Sequence, residues 1–418
     1  MTPAVKAAGK SNVRGMGGQF IAGDPLRALA ALWIVSYHVV ANALTRTTDR
    51  TVGMDFDVSL GEIGHVIARA RFSVWLFFAL SGYLLGRPFI HALITGRRMP
   101  RLKPYLRNRA LRILPVFWIV VAVTLLLRGR RGSEWSEVLA VPLFGQVYDV
   151  SAFSNAIPQA WTLDNEILFY GIVPLVALLA ARLAGGRGSH DARALGVLGF
   201  LLATAGLSLA WRIVHADDPL AVNYFLPGVW FSFTAGMAVA AAEPLLRDRV
   251  RSERAGRIGA AAAMAVALAC LVAYVYNESP SVVPPTLYSW LGCFGLLLSP
   301  LMLQWTTGRC WRVFDNRVMH WLGERSYSFY LWHVLIFVGL GGPLPEFESP
   351  WLTVLVLLVP AFAASAAVAG LSYRFIEKPF LERKHRWRRG EQARPGLEHA
   401  GAPVVTGPEL ASRPASPG

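Results

Sequence analysis

The chain is 418 residues long, 54% hydrophobic and only 16% charged, whereas a soluble domain carries about a quarter charged residues. That balance, with a mean hydropathy of +0.42, excludes a soluble globular enzyme and puts most of the chain in lipid. The formal net charge of +15 is no argument for nucleic-acid binding, since the basic residues sit in short stretches beside apolar runs, where membrane topology accounts for them.

A helix that crosses ~30 Å of hydrocarbon needs about 20 residues. Apolar runs of that length are read at 26–46, 72–95, 113–128, 161–184, 194–215, 222–245, 257–277, 286–306, 318–341 and 351–376. The expected fold is therefore all-α, a polytopic membrane protein with about ten transmembrane helices. Residues 1–20 are expected to form a cytosolic N-terminal segment and 21–385 the transmembrane domain. Residues 386–418 are expected to form a disordered cytosolic tail, because the end of the chain is rich in Pro, Gly and Ala without periodicity. Residues 1–25 contain no apolar core of a separate signal peptide, so the first span is expected to serve as its own insertion signal. Counted over alternate loops, 32 of the 41 Lys and Arg fall on one side and 8 on the other, with Arg325 inside a span. The positive-inside rule then places both termini in the cytosol of a multi-pass cell-membrane protein.

The first span contains PLRALAALWIVSYHVVA, with Arg27 and His38 eleven residues apart. Eleven residues are about three turns, so the two side chains share one helix face with about 16 Å between them along the axis. An ionisable side chain in hydrocarbon is costly unless it is paired or faces a cavity, which makes both functional candidates. Taken singly, Arg27 reads equally as an anchor snorkelling to headgroups, and His38 as an interhelical hydrogen bond.

Between the second and third spans lie Arg97, Arg98, Arg101, Lys103, Arg107, Arg109 and Arg112. Such a cluster binds a multiply phosphorylated cofactor through charge-assisted contacts, or it reports topology and anionic lipid. The fourth span opens WTLDNEILFY, which sets Glu166 at roughly the depth of His38. A carboxylate beside imidazole there fixes its tautomer and raises its basicity, as general-base chemistry requires. Asp164 is expected to be a solvated first-turn residue near the positive end of the helix dipole.

The ninth span, WLGERSYSFYLWHVLIF, carries Glu324, Arg325, Ser326, Tyr327, Ser328, Tyr330 and His333. That density of polar groups points to a helix facing a water-filled cavity. Tyr330 and Trp332 read as packing or interfacial residues. The three cysteines, Cys270, Cys293 and Cys310, have no paired spacing, so neither a disulfide nor a metal site is expected. No internal repeat, pair of broken helices or nucleotide-binding loop points to a transporter.

In their order these motifs resemble the acyltransferase family 3 membrane proteins, over about residues 20–385. The resemblance is carried by Arg27 and His38, by LFFALSGYL at 76–84, by RNRALRILPVFW at 107–118, by Trp161 to Tyr170, by Leu322 to His333 and by FIEKPF at 375–380. One departure is Asn165, where the family more often has an apolar residue before the glutamate. The resemblance implies transfer of an acyl group, acetyl as the expected case, from cytosolic acyl-CoA to a hydroxyl of a carbohydrate or other hydroxylated acceptor, with no permanently bound cofactor. The donor phosphates would sit near Arg107 and Arg109, with Arg27 at the inner end of a channel. His38 would act as base or acyl carrier and Glu166 would orient it, while Ser326, Tyr327 and His333 would line the acceptor side. Some members of the family carry an added esterase-like domain, and this chain is expected to be the membrane module alone. The acceptor stays open among cell-surface polysaccharide, peptidoglycan-like glycan, glycolipid and a hydroxylated metabolite such as a macrolide. Two rival classes are a proton-coupled small-molecule transporter, which would also place His and Glu at the midplane, and a membrane scaffold or sensor, which would need no such pair.

Overall fold

The structure, a computed structural model, describes residues 20–47, 56–128, 139–148, 157–184, 188–341, 347 and 349–382, and among them there is no strand. The expected tail at 386–418 and all of the N-terminal segment except Phe20 lie outside these residues. The helices are α1 (Gly23–Thr47), α2 (Phe56–Ala68), α3 (Arg71–Thr95), α4 (Leu102–Arg128), α5 (Trp161–Ala184), α6 (His190–Val214), α7 (Pro219–Asn223), α8 (Leu226–Arg247), α9 (Glu253–Val275), α10 (Val283–Thr307), α11 (Arg317–Glu324), α12 (Ser326–Gly341) and α13 (Pro350–Ser372). Several start at side-chain caps that satisfy an otherwise orphaned N–H. Ser189 accepts from Ala192 N at 3.2 Å, Ser252 from Ala255 N at 3.1 Å and Asn316 from Met319 N at 3.0 Å.

Among the described residues nine helices are long and apolar enough to cross a membrane, as the all-α membrane fold requires. The ninth expected span is not one helix. It breaks at Arg325, whose φ of −101° and ψ of 2° end α11, and the apolar α12 starts at the next residue. The cation explains the break. Its Nη1 donates to Trp321 O at 2.8 Å and to Glu324 at 3.1 Å, and its guanidinium lies 4.5 Å from the ring centroids of both Trp321 and Tyr373. Arg325 is thus satisfied at a helix end rather than carried through hydrocarbon.

The centre of the bundle is the pair α3 and α8, buried along most of their lengths. Their backbones approach closely: a Cβ added to Gly236 would lie 1.8 Å from Ala79 O, so only glycine fits, in the manner of small-residue membrane interfaces. Phe233 stacks on Phe78 at 4.5 Å and on Phe169 of α5 at 4.1 Å between ring centroids. Peripheral helices instead expose branched side chains, such as Leu268 and Val272 on α9 and Leu355 and Val359 on α13, the surface a lipid solvent favours.

Candidate active site

The start of α1 is held against α11 at Gly323, where an added Cβ would meet Asp24 O at 2.0 Å. This close approach brings Arg27 beside the first residues of α12. Arg27 donates to Asp24 at 3.1 Å and lines a cavity of ≈ 820 Å³ with Arg109 and Arg112 of α4, Ser81 of α3, Glu166 and Tyr170 of α5, and Ser326, Tyr327 and Tyr330 of α12. The chain thus gathers onto one wall groups that are far apart in sequence.

Inside the cavity Glu166 accepts from Ser81 Oγ at 2.9 Å and from Tyr170 OH at 2.7 Å. Tyr327 OH donates to Ile113 O at 2.8 Å and Tyr330 OH to Gln159 O at 3.1 Å, while Thr162 Oγ1 donates to Tyr330 OH at 3.2 Å. Three guanidiniums surround one carboxylate, so the lining is net cationic. Arg109 Nε is buried and has no hydrogen-bond partner among the described residues. A cationic recess in a low-dielectric bundle favours an anionic ligand.

His38 lies at the edge of this arrangement rather than in the cavity lining. Its ring faces that of His333 with centroids 5.3 Å apart, and His333 is in turn 5.6 Å from Tyr330, a cavity residue. His333 is fully buried. Its Nδ1 sits at hydrogen-bond distance from Tyr330 O, and a carbonyl can only accept, which assigns the proton to Nδ1. The Nε2 lone pair is left buried and without a hydrogen-bond partner among the described residues.

No hydrogen bond of the expected kind joins Glu166 and His38 among the described residues, and His38 does not line the cavity that holds Glu166. Glu166 is instead held by Ser81 Oγ and Tyr170 OH on the cavity that the arginines line. Ahead of α5 the turn Pro158–Ala160 is anchored where Gln159 Nε2 donates to Leu331 O at 3.1 Å. Asp164 departs from the expected solvated position: it is 1% exposed and accepts from Val147 N at 3.0 Å.

Of the other sequence candidates, Arg27 and Arg109 are brought together, whereas Arg107, two residues before Arg109 and on another helix face, does not line the cavity. Ser326 and Tyr327 line the same cavity as the arginines, and the His333 ring lies against that of His38. Sequence reading missed Ser81, Tyr170 and Tyr330 and gave Arg112 no special weight. Tyr170 had a signal, its spacing of four residues from Glu166 on one helix face. Tyr330 had one too, its place among the polar groups of the ninth span, although it reads there as a packing residue, whereas Ser81 had none, because its partner comes from another helix.

The family model for the acyltransferase domain of the acyltransferase-3 family matches residues 23–370. The putative peptidoglycan O-acetyltransferase YrhL of Bacillus subtilis is 26% identical over 379 residues, covering 85% of this chain and 54% of that protein. The peptidoglycan O-acetyltransferase OatA of Listeria monocytogenes is 25% identical over 377 residues, 85% of this chain and 55% of its own. The exopolysaccharide production protein ExoZ of Rhizobium meliloti is 26% identical over 344 residues, 77% of this chain and 92% of its own. The chain thus spans about half the length of the first two relatives. No solved structure matches it.

Proposed function

Since the chain belongs to the acyltransferase-3 family of membrane proteins, we propose that it is a membrane-bound O-acyltransferase that moves an acyl group, acetyl first among them, from cytosolic acyl-CoA to a hydroxyl of a cell-surface polysaccharide. The acceptor class follows the relatives whose names specify peptidoglycan and exopolysaccharide. The observation that carries the donor assignment is the cavity lined by Arg27, Arg109 and Arg112. Guanidiniums bind phosphate and pyrophosphate oxygens through paired, charge-assisted hydrogen bonds. The positive-inside rule puts the basic loops, and with them both termini, on the cytosolic side where acyl-CoA is supplied.

His38 is the proposed reacting group, with His333 supporting its ring. By one route an imidazole nitrogen takes the acceptor hydroxyl's proton while the oxygen attacks the thioester carbonyl. The C–S bond then breaks and the thiolate leaves as thiol with that proton. By the other, the imidazole attacks first, the thiol departs, and the hydroxyl cleaves the acyl-imidazole. Glu166 balances the charge of the arginines and is held by Ser81 and Tyr170. The test is incubation of membranes containing the protein with radiolabelled acetyl-CoA, followed by analysis of the polysaccharide fraction. Label in ester linkage that base releases is the expected result. Uptake of a small molecule without turnover of acetyl-CoA would favour the transporter reading instead.

A further inference from the structure

A second arginine-lined cavity, ≈ 880 Å³ in volume, lies where α3, α8 and α10 begin and α6 and α9 end. Its lining includes Arg69, Arg71 and Arg212, with Asn277, Ser279 and Ser281 at the rim and, among the described residues, no Asp or Glu. The nearby acids, Asp217, Asp218 and Glu278, are exposed neighbours in sequence of the lining residues Ala216, Pro219, Asn277 and Ser279. None of the three arginines makes an ion pair among the described residues.

These guanidiniums are held by neutral groups. Arg212, 6% exposed, donates through Nε to Thr286 Oγ1 at 2.8 Å and through Nη1 to Val222 O at 2.7 Å and Gly228 O at 3.0 Å. That leaves its Nη2 without a protein acceptor among the described residues. Arg71 donates through Nη2 to Tyr224 OH at 3.2 Å, while its Nη1 is buried and has no hydrogen-bond partner among the described residues. Arg69 spends Nε on Val275 O at 3.1 Å. Three fixed cations with spare donors and no carboxylate to neutralise them form a preorganised oxyanion receptor. Snorkelling to headgroups does not explain Arg212, since its donors are anchored inward.

The position of the cavity indicates what would enter it. Trp33 of α1 packs on Phe72 at 6.0 Å between centroids and donates to Val66 O at 3.1 Å. His38, five residues further along α1, is therefore within about 7 Å of that level along the helix axis. Arg27 is six residues, about 9 Å, from the same level in the other direction. The second cavity lies where α3 begins, on the end of the bundle opposite the basic loop that follows Thr95.

We propose that this cavity binds a carboxylate or phosphate borne by the acceptor glycan, making it an acceptor subsite for an acidic polysaccharide. This rests on the reading of the acceptor as a glycan reached from the non-cytosolic face. Asn277, Ser279 and Ser281 at the rim add neutral polar groups suited to sugar hydroxyls, and the guanidiniums select the charged unit.

The test uses the full chain in phosphatidylcholine nanodiscs, titrated with tetragalacturonate and, separately, with neutral maltotetraose. The acidic oligomer is expected to bind at least about tenfold tighter, with an affinity that falls as salt rises. Arg71→Gln is expected to weaken it by about tenfold and Arg71→Lys by less, while acetyl-CoA binding, measured in the same samples, reports that each variant is folded. Equal affinity for the two oligomers, or an unchanged affinity in Arg71→Gln, overturns the proposal. Loss of tetragalacturonate binding when phosphatidylglycerol replaces phosphatidylcholine, at matched ionic strength, would assign the cavity to a lipid phosphate and overturn it too. No acyl transfer is read, so a failure of the transferase reading and a failure of this subsite appear in different measurements.

Discussion

The imidazole of His38 faces the imidazole of His333 at 5.3 Å with an interplanar angle of 41°, and His333 in turn adjoins Tyr330 on the wall of the arginine-lined cavity. The pair sets what a substitution should do. His38→Ala is expected to lower transfer at least ~10²-fold at matched membrane levels, the loss typical of a removed general base or nucleophile. His38→Gln keeps size and hydrogen bonding yet neither accepts a proton nor carries an acyl group, so it should be equally inactive. His333→Gln, which acts through His38, should lower kcat by about tenfold with little change in KM for either substrate. Near-wild-type turnover in His38→Gln would make the ring a packing element and end its catalytic assignment.

The basic cluster separates by geometry. Arg109→Ala and Arg112→Ala should each raise the donor KM by about 10-fold or more, because each removes a charge-assisted contact of about 1.5–3 kcal/mol. Arg107→Ala, outside the cavity lining, should change it by less than about threefold. Steady-state kinetics against acetyl-CoA decides, and equal effects at all three positions would return the cluster to a diffuse electrostatic role.

Glu166 accepts two hydrogen bonds from Ser81 and Tyr170 and none from His38. Glu166→Gln should therefore alter donor KM more than kcat, and Tyr170→Phe should shift it in the same direction by a smaller factor. A fall in kcat matching that of His38→Gln, with donor KM unchanged, would restore Glu166 as the group that orients the histidine.

Stability rests in part on a buried cluster away from the cavity. Glu243, 2% exposed, accepts from Arg87 Nε at 2.7 Å and Nη2 at 2.8 Å and from Tyr83 OH at 3.3 Å, with His91 Nε2 at 3.4 Å. Glu243→Ala leaves a guanidinium between α3 and α8 without its counter-ion, at a cost of about 3–5 kcal/mol. Thermal unfolding in detergent should show a clearly lowered midpoint, and Glu243→Gln a smaller drop. An unchanged midpoint in Glu243→Ala would mean that the cluster is solvated in the native protein.

Sidedness follows from the charge count. In a background lacking the three native cysteines, a cysteine replacing Ser279 should react with an impermeant thiol reagent added to intact cells, and one replacing Arg254 should react only after permeabilisation. Labelling of both from outside would refute the proposed orientation.

The sequence alone determined that this is a helical membrane protein, because a hydrocarbon solvent forces each span to satisfy its own backbone and leaves a run of apolar residues as the record. It also marked Arg27, His38 and Glu166, since an ionisable residue in such a run is rare and costly. What it did not determine is which of them meet. That was decided by contacts between helices distant in sequence: Gly323 admitting the start of α1, and Ser81 of α3 meeting Glu166 of α5. Glu166 lies with the arginines, and His38 lies against His333. The break at Arg325 was likewise set by Trp321 and by Tyr373 from beyond α13. Periodicity records the solvent that each helix faces, whereas the depth at which a helix begins and the partner its polar face meets are fixed only when the helices pack.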